Sequence, residues 1–351
     1  MLDGLPTVLY ALGFSWRKRP LVRKFFDGHE IRFISRIGAV PDGATVVVWA
    51  SGRFGTGIPP ATPEGEPGFP FTRLFVEDGF LRSVGLGADL VQPLSWVIDR
   101  RGIYYDASRP SDLEHGLQNR VFGEAQLTRA AGFRQSVVSS GLTKYNVGTH
   151  IWSRPVQAGC KSVVLVVGQV ETDASIRCGA PGTKTNLSLL QASRQAHPDA
   201  WIVYKPHPDV VAGLRGQGAQ EDQAVHWSDQ VVTDVAMGAL LGVVDTVHVM
   251  TSLAGFEALL RGKNVVCHGL PFYAGWGLTT DILPILRRTR KLSVDELTAG
   301  ALLEYPTYVS RATGQICPAE QALAELLTWQ SVARPGLPWW RELTRRLIRR
   351  P

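Results

Sequence analysis

The chain has 351 residues, 44% of them hydrophobic and 19% charged, so it has enough apolar side chains for sizeable cores and not the composition of a disordered protein. At roughly 150 residues per domain, this length predicts two domains. The net charge of +6 is too small to indicate nucleic-acid binding without a motif, and the sequence has no such motif. It suits an anionic substrate or an anionic membrane surface.

The cysteines and the N-terminal segment bear on the cellular compartment. The four cysteines are far apart, without CxxC or Cys/His spacing, so we expect reduced thiols in the cytoplasm and no metal site. Separately, we expect no cofactor. The opening segment MLDGLPTVLYALGFSWRKRP lacks a basic residue before its apolar stretch and a clear cleavage site, so we do not predict a signal peptide. No apolar run reaches about 18 residues, the length that predicts a membrane-spanning helix.

In the first half of the chain, strand candidates alternate with loops and one helical region. Residues 45–50 (TVVVWA) predict a short buried strand, and the Gly- and Pro-rich residues 52–70 predict a loop. Residues 72–80 predict an apolar strand that ends in a carboxylate pair. Residues 95–107 predict two short strands around a turn, and residues 111–140 have a helical pattern.

In the second half, predicted strands and helices alternate regularly. We predict strands at 161–169, 200–208, 245–250 and 264–269, and helices at 185–197, 232–242, 254–262, 292–305 and 318–329. The first of these strands is a continuous apolar run, which is typical of a strand buried on both faces. The alternation predicts an α/β fold, in which a parallel sheet carries helices on both faces.

Polar side chains follow the predicted strands at the points where the strands end. They are Glu77, Asp78, Gln169, Glu171, Asp173, Lys205, His207, Asp209, Thr251, Ser252 and Glu257. In open α/β sheets, ligands bind outside the carboxyl ends of the strands. We therefore predict that one binding site collects these side chains.

Two of these segments suit a nucleotide. In YKPHPD, Lys205 and His207 are two residues apart at a strand end, which predicts a phosphate clamp or, in the alternative, a rigid turn with a capping histidine. In TSLAGFEALL, Thr251 and Ser252 occupy the N-cap of a predicted helix, where free N–H groups favour phosphate. Glu257 in the same helix is a candidate ligand for ribose hydroxyls.

The carboxylates are candidates for covalent or acid–base chemistry. Glu171 and Asp173 follow a buried strand and suit a nucleophile or a proton acceptor, although Asp173 also suits a helix N-cap. Adjacent carboxylates on a strand point in different directions, so we expect one of Glu77 and Asp78 to face the cleft. The alternative is a turn held by an ion pair to Arg82.

Aromatic and basic segments have two interpretations each. Tyr273 and Trp276 in the loop FYAGWGLT suit stacking on a base or a sugar, or packing in the core. Residues 16–26 and 338–351 combine tryptophan with many basic residues, which suits either an anionic membrane surface or a solvated basic helix.

Five segments, in order along the chain, carry a resemblance to a known family. They are EDGFLRSVGLG, PLSWVIDRRGIYYDA, GQVETDASI, YKPHPDVVAG and TSLAGFEALLRGKNVVCHGLPFYAGWGLT. Together they resemble the capsule polysaccharide β-Kdo transferases of the KpsC type, over roughly residues 45–320. Members of that family commonly carry two such modules in tandem, and this chain has the length of one. It is most similar to the second, C-terminal module, because Gly168 stands where the first module usually has aspartate.

The resemblance implies a GT-B type α/β fold with two Rossmann-like domains. We place an acceptor-side domain at residues 1–155, a CMP-sugar-binding domain at 156–317, and a terminal helix with a basic tail at 318–351. The implied donor is CMP-Kdo and the implied acceptor is a Kdo-bearing lipid, with the protein in the cytoplasm or peripheral at the inner face of the inner membrane. The configuration of Kdo is retained through a covalent sugar–carboxylate adduct. A separate partner transferase module is compatible with the single-module length.

The resemblance also implies roles for individual residues. Glu171 is the expected nucleophile with Asp173 in reserve, Glu77 or Asp78 is the expected base, and His207 assists catalysis. The expected donor ligands are Gln169, Lys205, His207, Thr251, Ser252, Gly255 and Glu257, and the expected acceptor-side residues are Arg82, Ser83, Tyr273 and Trp276. No metal is expected, because lysine, histidine and a helix N-terminus can neutralise one phosphate without magnesium.

Two other functions are compatible with the sequence. One is a transferase of the same fold that uses another nucleotide sugar, such as CMP-sialic acid or a UDP-sugar. The other is a non-catalytic protein of capsule assembly or export that binds glycolipid. The retained carboxylates and the intact His-Pro motif argue against the second alternative.

Overall fold

A computed structural model of the protein describes residues 4–51, 71–84, 92–144, 148 and 150–332. The predicted loop at 52–70 and the basic tail at 338–351 lie outside these residues. The described residues form a seven-stranded and a six-stranded β-sheet with helices around both. Among them, no helix is both long enough and apolar enough to cross a bilayer.

The seven-stranded sheet is mixed. Its strands are β1 (Val8–Leu12), β2 (Glu30–Ile34), β3 (Thr45–Trp49), β4 (Thr72–Asp78), β5 (Ser95–Asp99), β12 (Pro306–Val309) and β13 (Ile316–Cys317). The order across the sheet is β13-β12-β5-β4-β3-β1-β2. Strands β2, β1, β3 and β4 run parallel, whereas β5, β12 and β13 pair antiparallel. The predicted strands at 45–50 and 72–80 are confirmed, and β1 shows that the apolar N-terminal stretch is part of a core.

The chain returns to this first sheet near its C-terminal end. Strand β12 pairs antiparallel with β5, with Thr307 opposite Trp96, and β13 extends the same edge. Residues 306–317 therefore contribute to the first sheet, although we placed them in the second predicted domain. The predicted boundary at residue 317 does not follow the sheets, because local patterning does not reveal which distant strand an edge strand pairs with.

The six-stranded sheet is parallel throughout. Its strands are β6 (Val163–Val167), β7 (Trp201–Lys205), β8 (Gln230–Val231), β9 (Thr246–Val249), β10 (Asn264–Cys267) and β11 (Thr280–Asp281). They are ordered β11-β10-β9-β6-β7-β8. All five residues of β6 are buried, as expected for a central parallel strand covered on both faces. The predicted parallel α/β arrangement of the second half is confirmed.

Helices connect and cover the strands. They are α1 (Arg19–Phe25), α2 (Asp112–Asn119), α3 (Glu124–Ser139), α4 (Ala174–Gly179), α5 (Asn186–Ala196), α6 (Pro208–Val211), α7 (Ala224–Trp227), α8 (Met237–Val243), α9 (Leu253–Leu260), α10 (Val294–Thr298), which continues as a π-helix (Ala299–Glu304), and α11 (Ala319–Val332). The helices predicted at 185–197, 254–262, 292–305 and 318–329 match α5, α9, α10 with its continuation, and α11.

One predicted hairpin is wrong. Residues 95–107 form a single strand, β5, and the second half of the segment runs through turns. The buried Asp99 carboxylate explains this, because it accepts the backbone N–H groups of Arg101 at 2.9 Å and Gly102 at 2.8 Å. Those two donors are therefore satisfied without a second strand.

An aromatic cluster joins the two sheets. The ring of Phe80, just after β4, stacks 4.6 Å from the ring of Phe272, which follows β10. Phe256 on α9 contacts both rings, at centroid distances of 5.9 and 5.2 Å. Tyr104 and Tyr305 pack against Phe80 from the first-sheet side. Packing of this kind holds the carboxyl ends of β4 and β9 near each other.

Candidate functional site

A cleft of about 580 Å³ lies where the carboxyl ends of β4, β6, β7 and β9 meet. Eight predicted site residues line it: Glu77, Asp78, Gln169, Asp173, His207, Asp209, Thr251 and Ser252. Lys144, Arg177 and Arg215 also line it and were not predicted. The structure therefore brings the strand-end residues of both sheets into one cleft, as expected for ligand sites in open α/β sheets.

The adjacent carboxylates of β4 differ in their surroundings. Asp78 forms an ion pair with the buried Arg82, whose Nε lies 2.5 Å from Asp78 Oδ2. Arg82 also donates to Ser83 Oγ at 2.8 Å. Arg82 and Ser83 therefore support Asp78 from behind, and neither lines the cleft where a sugar acceptor would bind. Burial raises the pKa of Glu77 to about 7, and repulsion from Asp78 adds to the shift. Glu77 is therefore suited to take up a proton near neutral pH.

The glycine after this pair is required by close packing. A Cβ atom on Gly79 would lie 2.3 Å from Ser95 Oγ and 2.8 Å from Ser95 Cβ. The Gly79 N–H donates to the Ser95 carbonyl at 2.9 Å. The segment EDG is thereby fixed against β5, which holds Glu77 and Asp78 at the cleft.

Glu171 and Asp173, two positions apart, lie in different places. Glu171 accepts two backbone N–H groups, from Asn186 at 2.7 Å and from Ala219 at 2.8 Å, one on each carboxylate oxygen. It holds the start of α5 against residues 218–219 and does not line the cleft. Asp173 does line the cleft, and one of its oxygens caps α4 by accepting from Ser175 N at 3.0 Å. The structure thus offers Asp173, not Glu171, to a ligand.

No side chain fits at Gly168, the position of the missing aspartate. An added Cβ would lie 2.6 Å from Tyr204 Oη and 3.0 Å from Pro206 Cα. The Gly168 N–H also donates to the Lys205 carbonyl at 2.8 Å. The close approach of the ends of β6 and β7 explains why the residue here is glycine.

His207 lies at the cleft and Lys205 does not. His207 Nδ1 accepts from Asp209 N at 3.1 Å, so the neutral ring carries its proton on Nε2. Burial lowers the pKa of His207, which favours this neutral form. Lys205 Nζ instead donates to the Val235 carbonyl at 2.7 Å, and burial lowers its pKa to about 8. The prediction that both face one ligand is wrong for Lys205, because β7 ends there and the following prolines redirect the chain.

The floor of the cleft is a reciprocal pair between two strand ends. Gln169 Nε2 donates to Thr251 Oγ1 at 3.0 Å, and Thr251 N donates to Gln169 Oε1 at 2.8 Å. Ser252 is the N-cap of α9, as predicted, and its Oγ accepts from Ala254 N at 3.3 Å. These contacts place amide, hydroxyl and helix N-terminal groups together at one end of the cleft.

The predicted aromatic ligands belong to the core. Tyr273 and Trp276 are 0% exposed. Tyr273 donates its hydroxyl proton to the Ser252 carbonyl, and Trp276 Nε1 donates to the Phe272 carbonyl at 2.8 Å. A Cβ on Gly255 would lie 2.3 Å from Tyr273 Oη, so the glycine is explained by this close packing and not by binding of the nucleotide-sugar donor. The core interpretation holds for both aromatic residues.

Glu257 is also turned away from the cleft. Its buried Oε1 accepts the backbone N–H of Lys144 at 2.7 Å, and burial raises its pKa to about 7. Arg261, the residue just after α9, donates to the Leu142 carbonyl at 2.7 Å. Glu257 and Arg261 together hold residues 142–144 against α9. This contact replaces the predicted contact with ribose.

The unpredicted cations differ in how visible they are in the sequence. Arg177 follows Asp173 by four residues, the spacing that places two side chains on one helix face. Lys144 stands in a segment whose only predicted feature was the end of a helix. Arg215 lies in a loop without a motif. Within the described ranges, no group of three or more His, Cys, Asp or Glu side chains is placed to hold a metal ion.

Comparison with known proteins identifies relatives of the whole described fold. A family model described as "Capsule polysaccharide biosynthesis protein" matches residues 71–315. "Capsule polysaccharide modification protein LipA" of Neisseria meningitidis serogroup A is 42% identical over 339 residues, which cover 95% of this chain and 47% of LipA. "Lipopolysaccharide-processing protein LpsZ" of Rhizobium meliloti is 44% identical over 265 residues, 75% of this chain and 59% of LpsZ. The chain spans about half the length of the curated relatives it matches.

Two solved structures from Thermosulfurimonas dismutans are similar over nearly their full length. KpsC β-Kdo 2,7 transferase has a TM-score of 0.75 and 36% identity, covering 91% of this chain and 98% of that one. KpsC β-Kdo 2,4 transferase has a TM-score of 0.78 and 30% identity, covering 90% and 97%. The resemblance in the sequence motifs is thereby confirmed, and the chain belongs to the family of capsule polysaccharide biosynthesis proteins.

Proposed function

We propose that this protein is a retaining β-Kdo transferase of the GT-B type that moves Kdo from CMP-Kdo to a Kdo-bearing glycolipid in capsule polysaccharide biosynthesis. The observation that carries the proposal is the meeting of Glu77 from the first sheet with Asp173 and His207 from the second in one cleft. Similarity to two β-Kdo transferases supports the choice of sugar.

Asp173 is the proposed nucleophile of the first step. Its carboxylate attacks the anomeric carbon of Kdo, the bond from that carbon to the phosphate oxygen breaks, and the electron pair leaves with CMP. Glu171 is not chosen, because both of its oxygens hold backbone N–H groups away from the cleft. His207 donates a hydrogen bond from its Nε2–H to the departing phosphate, whose negative charge grows as the bond breaks.

Glu77 is the proposed base of the second step. The acceptor hydroxyl attacks the anomeric carbon, its proton passes to Glu77, and the bond to Asp173 breaks to restore the carboxylate. Two displacements on opposite faces retain the configuration. A carboxyl group whose pKa is about 7 is matched to this task at neutral pH.

The start of α9 is the proposed site for the rest of CMP. Ser252 and Thr251 lie at the helix N-terminus beside Gln169, and they line the same cleft as His207. Hydroxyl groups, an amide and helix N–H donors suit a phosphate and a ribose. This arrangement needs no metal ion to bind a single phosphate.

Product analysis tests the proposal. The purified protein is incubated with CMP-Kdo and a synthetic acceptor that ends in Kdo, and the products are examined by mass spectrometry and NMR. We expect a β-linked Kdo on the acceptor and free CMP. Transfer from CMP-sialic acid or a UDP-sugar, without transfer from CMP-Kdo, would establish the other transferase hypothesis. Binding of the glycolipid without turnover of any donor would establish the non-catalytic one.

A further inference from the structure

Lys144 is held in the cleft by both halves of the molecule. It lies just beyond α3, between the two sheets. Its N–H donates to Glu257 Oε1 on α9 at 2.7 Å, and its carbonyl accepts from Ser83 N, beyond β4, at 3.3 Å. Arg261 fixes the preceding Leu142 from the same side. The backbone of Lys144 is thus fixed on both sides, while its side chain lines the cleft.

The positive charge of the Lys144 ammonium group acts on two groups of the proposed reaction, the base Glu77 and the phosphate ligand His207. This charge lowers the pKa of Glu77, against the effect of burial, and lowers the pKa of His207 in the same direction as burial. The charge of Lys18 acts on Glu77, and the charge of Arg215 acts on His207. Of these three cations in the described part of the chain, Lys144 is the one whose charge acts on both Glu77 and His207. Lys144 therefore lines the same cleft as the proposed base and the proposed phosphate ligand, and its charge acts on both.

The stereochemistry of the donor explains what a cation at this point would bind. In a nucleotide-linked 2-keto sugar acid, the anomeric carbon carries both the phosphate oxygen and the carboxylate, and the acceptor oxygen attacks that same carbon. The carboxylate therefore lies within reach of any cation placed between the phosphate ligand and the base. A nucleotide-linked aldose has a hydrogen atom in the place of the carboxylate and offers this cation nothing.

We propose that Lys144 binds the anomeric carboxylate of the donor and thereby makes the cleft selective for nucleotide-linked 2-keto sugar acids over nucleotide-linked aldoses. This inference rests on the proposed function, since it places the donor between His207 and Glu77. A lysine suits the position because its ammonium is a compact point charge with three donors. The backbone clamp on Lys144 explains why Glu257 is buried behind it.

The test compares two ligands that differ by the sugar acid. Calorimetry without acceptor measures the affinity of CMP-Kdo and of CMP in the Asp173→Asn background, which lacks the proposed nucleophile and so cannot form the adduct. The proteins compared are Asp173→Asn alone, the same protein with Lys144→Met or Lys144→Arg added, and the same protein with the control Lys161→Met, whose lysine is exposed. We expect Lys144→Met to weaken CMP-Kdo binding about 10- to 100-fold, the range for a lost charge-assisted hydrogen bond, and to leave CMP binding within about threefold. Lys144→Arg should restore part of the loss, and Lys161→Met should change neither affinity.

Two outcomes would overturn the assignment. Equal weakening of CMP and CMP-Kdo by Lys144→Met would make Lys144 a phosphate ligand. Unchanged affinity for both ligands would give Lys144 no role in binding the sugar, and so would an Asp173→Asn protein that binds CMP-Kdo no more tightly than CMP. Failure of the proposed function would give a different result, namely the absence of Kdo transfer by the wild-type protein. The ratio of the two affinities could still be measured in that case.

Discussion

Asp173 and Glu171 are two residues apart, and their contacts predict opposite results on mutation. Asp173→Asn removes the proposed nucleophile and should lower kcat by about 10⁴-fold or more, with CMP affinity nearly unchanged. Glu171→Gln should keep most of the turnover. It should lower the free energy of unfolding by about 1–3 kcal/mol, since an amide cannot accept both backbone N–H groups. Steady-state kinetics and thermal unfolding of both variants provide the measurement.

The reverse pattern would move the nucleophile to Glu171. That pattern is loss of turnover in Glu171→Gln with a normal melting temperature, together with near-normal turnover in Asp173→Asn. The conservative changes keep side-chain size, so a general loss of the fold is not expected to confuse the two results.

The elevated pKa of Glu77 predicts how the rate depends on pH. A base must be deprotonated to act. The value of kcat/KM for the acceptor should therefore fall as the pH drops through about 7, where Glu77 gains its proton. Glu77→Gln should lower kcat/KM and remove this acidic limb. A wild-type profile that stays flat from pH 8 down to pH 5 would contradict the assignment of Glu77 as the base.

At the scale of elements, the contact between α9 and residues 142–144 makes stability depend on pH. Burial raises the pKa of Glu257 to about 7, above the usual value of 4.5 for a glutamate, so the folded protein binds this proton more tightly than the unfolded chain. Stability supplied by Glu257 is therefore greatest at low pH and decreases as the pH rises from about 4.5 to 7. Glu257→Gln should remove this decrease, an effect on the order of 1–3 kcal/mol.

Denaturant unfolding from pH 5 to 8 measures the effect. Because Glu77 adds a shift of the same sign, the comparison is between Glu257→Gln and wild type, and their difference isolates Glu257. A constant difference across this range would show that Glu257 titrates normally in the folded protein.

The strand ends show what local sequence can and cannot predict. Apolar runs predicted β3, β4, β6, β7 and β9, and eight of the eleven polar residues named after the predicted strands line the cleft. Lys205 was misplaced because spacing along a strand stops being informative where the strand ends. The roles of Tyr273 and Glu257 depend on packing partners far away in the sequence, and spacing does not encode these partners. The return of β12 to the first sheet was hidden for the same reason.

At the scale of the whole molecule, the basic segments concern how the protein would reach the proposed lipid acceptor. In residues 16–26, Val22 and Phe25 are buried, whereas Trp16 is 74% exposed with the Arg17 guanidinium 5.1 Å from its ring centroid. This part of the surface therefore combines an exposed aromatic ring with positive charge, as membrane-binding surfaces do. The basic tail at 338–351 has the same composition.

We expect that deleting residues 338–351 together with Trp16→Ala and Arg17→Ala weakens binding to anionic liposomes, most clearly at low salt, because attraction between surface charges is screened within about a nanometre at physiological ionic strength. Co-sedimentation with anionic and neutral vesicles is the measurement. Activity on a short soluble acceptor should remain, since Trp16 and Arg17 do not line the cleft and none of the proposed site residues belongs to the tail. Equal binding of the altered and wild-type proteins to anionic vesicles would contradict the prediction.

The covalent adduct is the most direct test of the central claim, that the cleft transfers Kdo by two displacements through Asp173. Glu77→Gln is incubated with CMP-Kdo without acceptor, and the intact protein and its peptides are examined by mass spectrometry. We expect CMP release, a mass gain of one Kdo residue, and mapping of that gain to Asp173. An adduct on Glu171, or complete absence of an adduct from a protein that transfers Kdo in its wild-type form, would contradict this account.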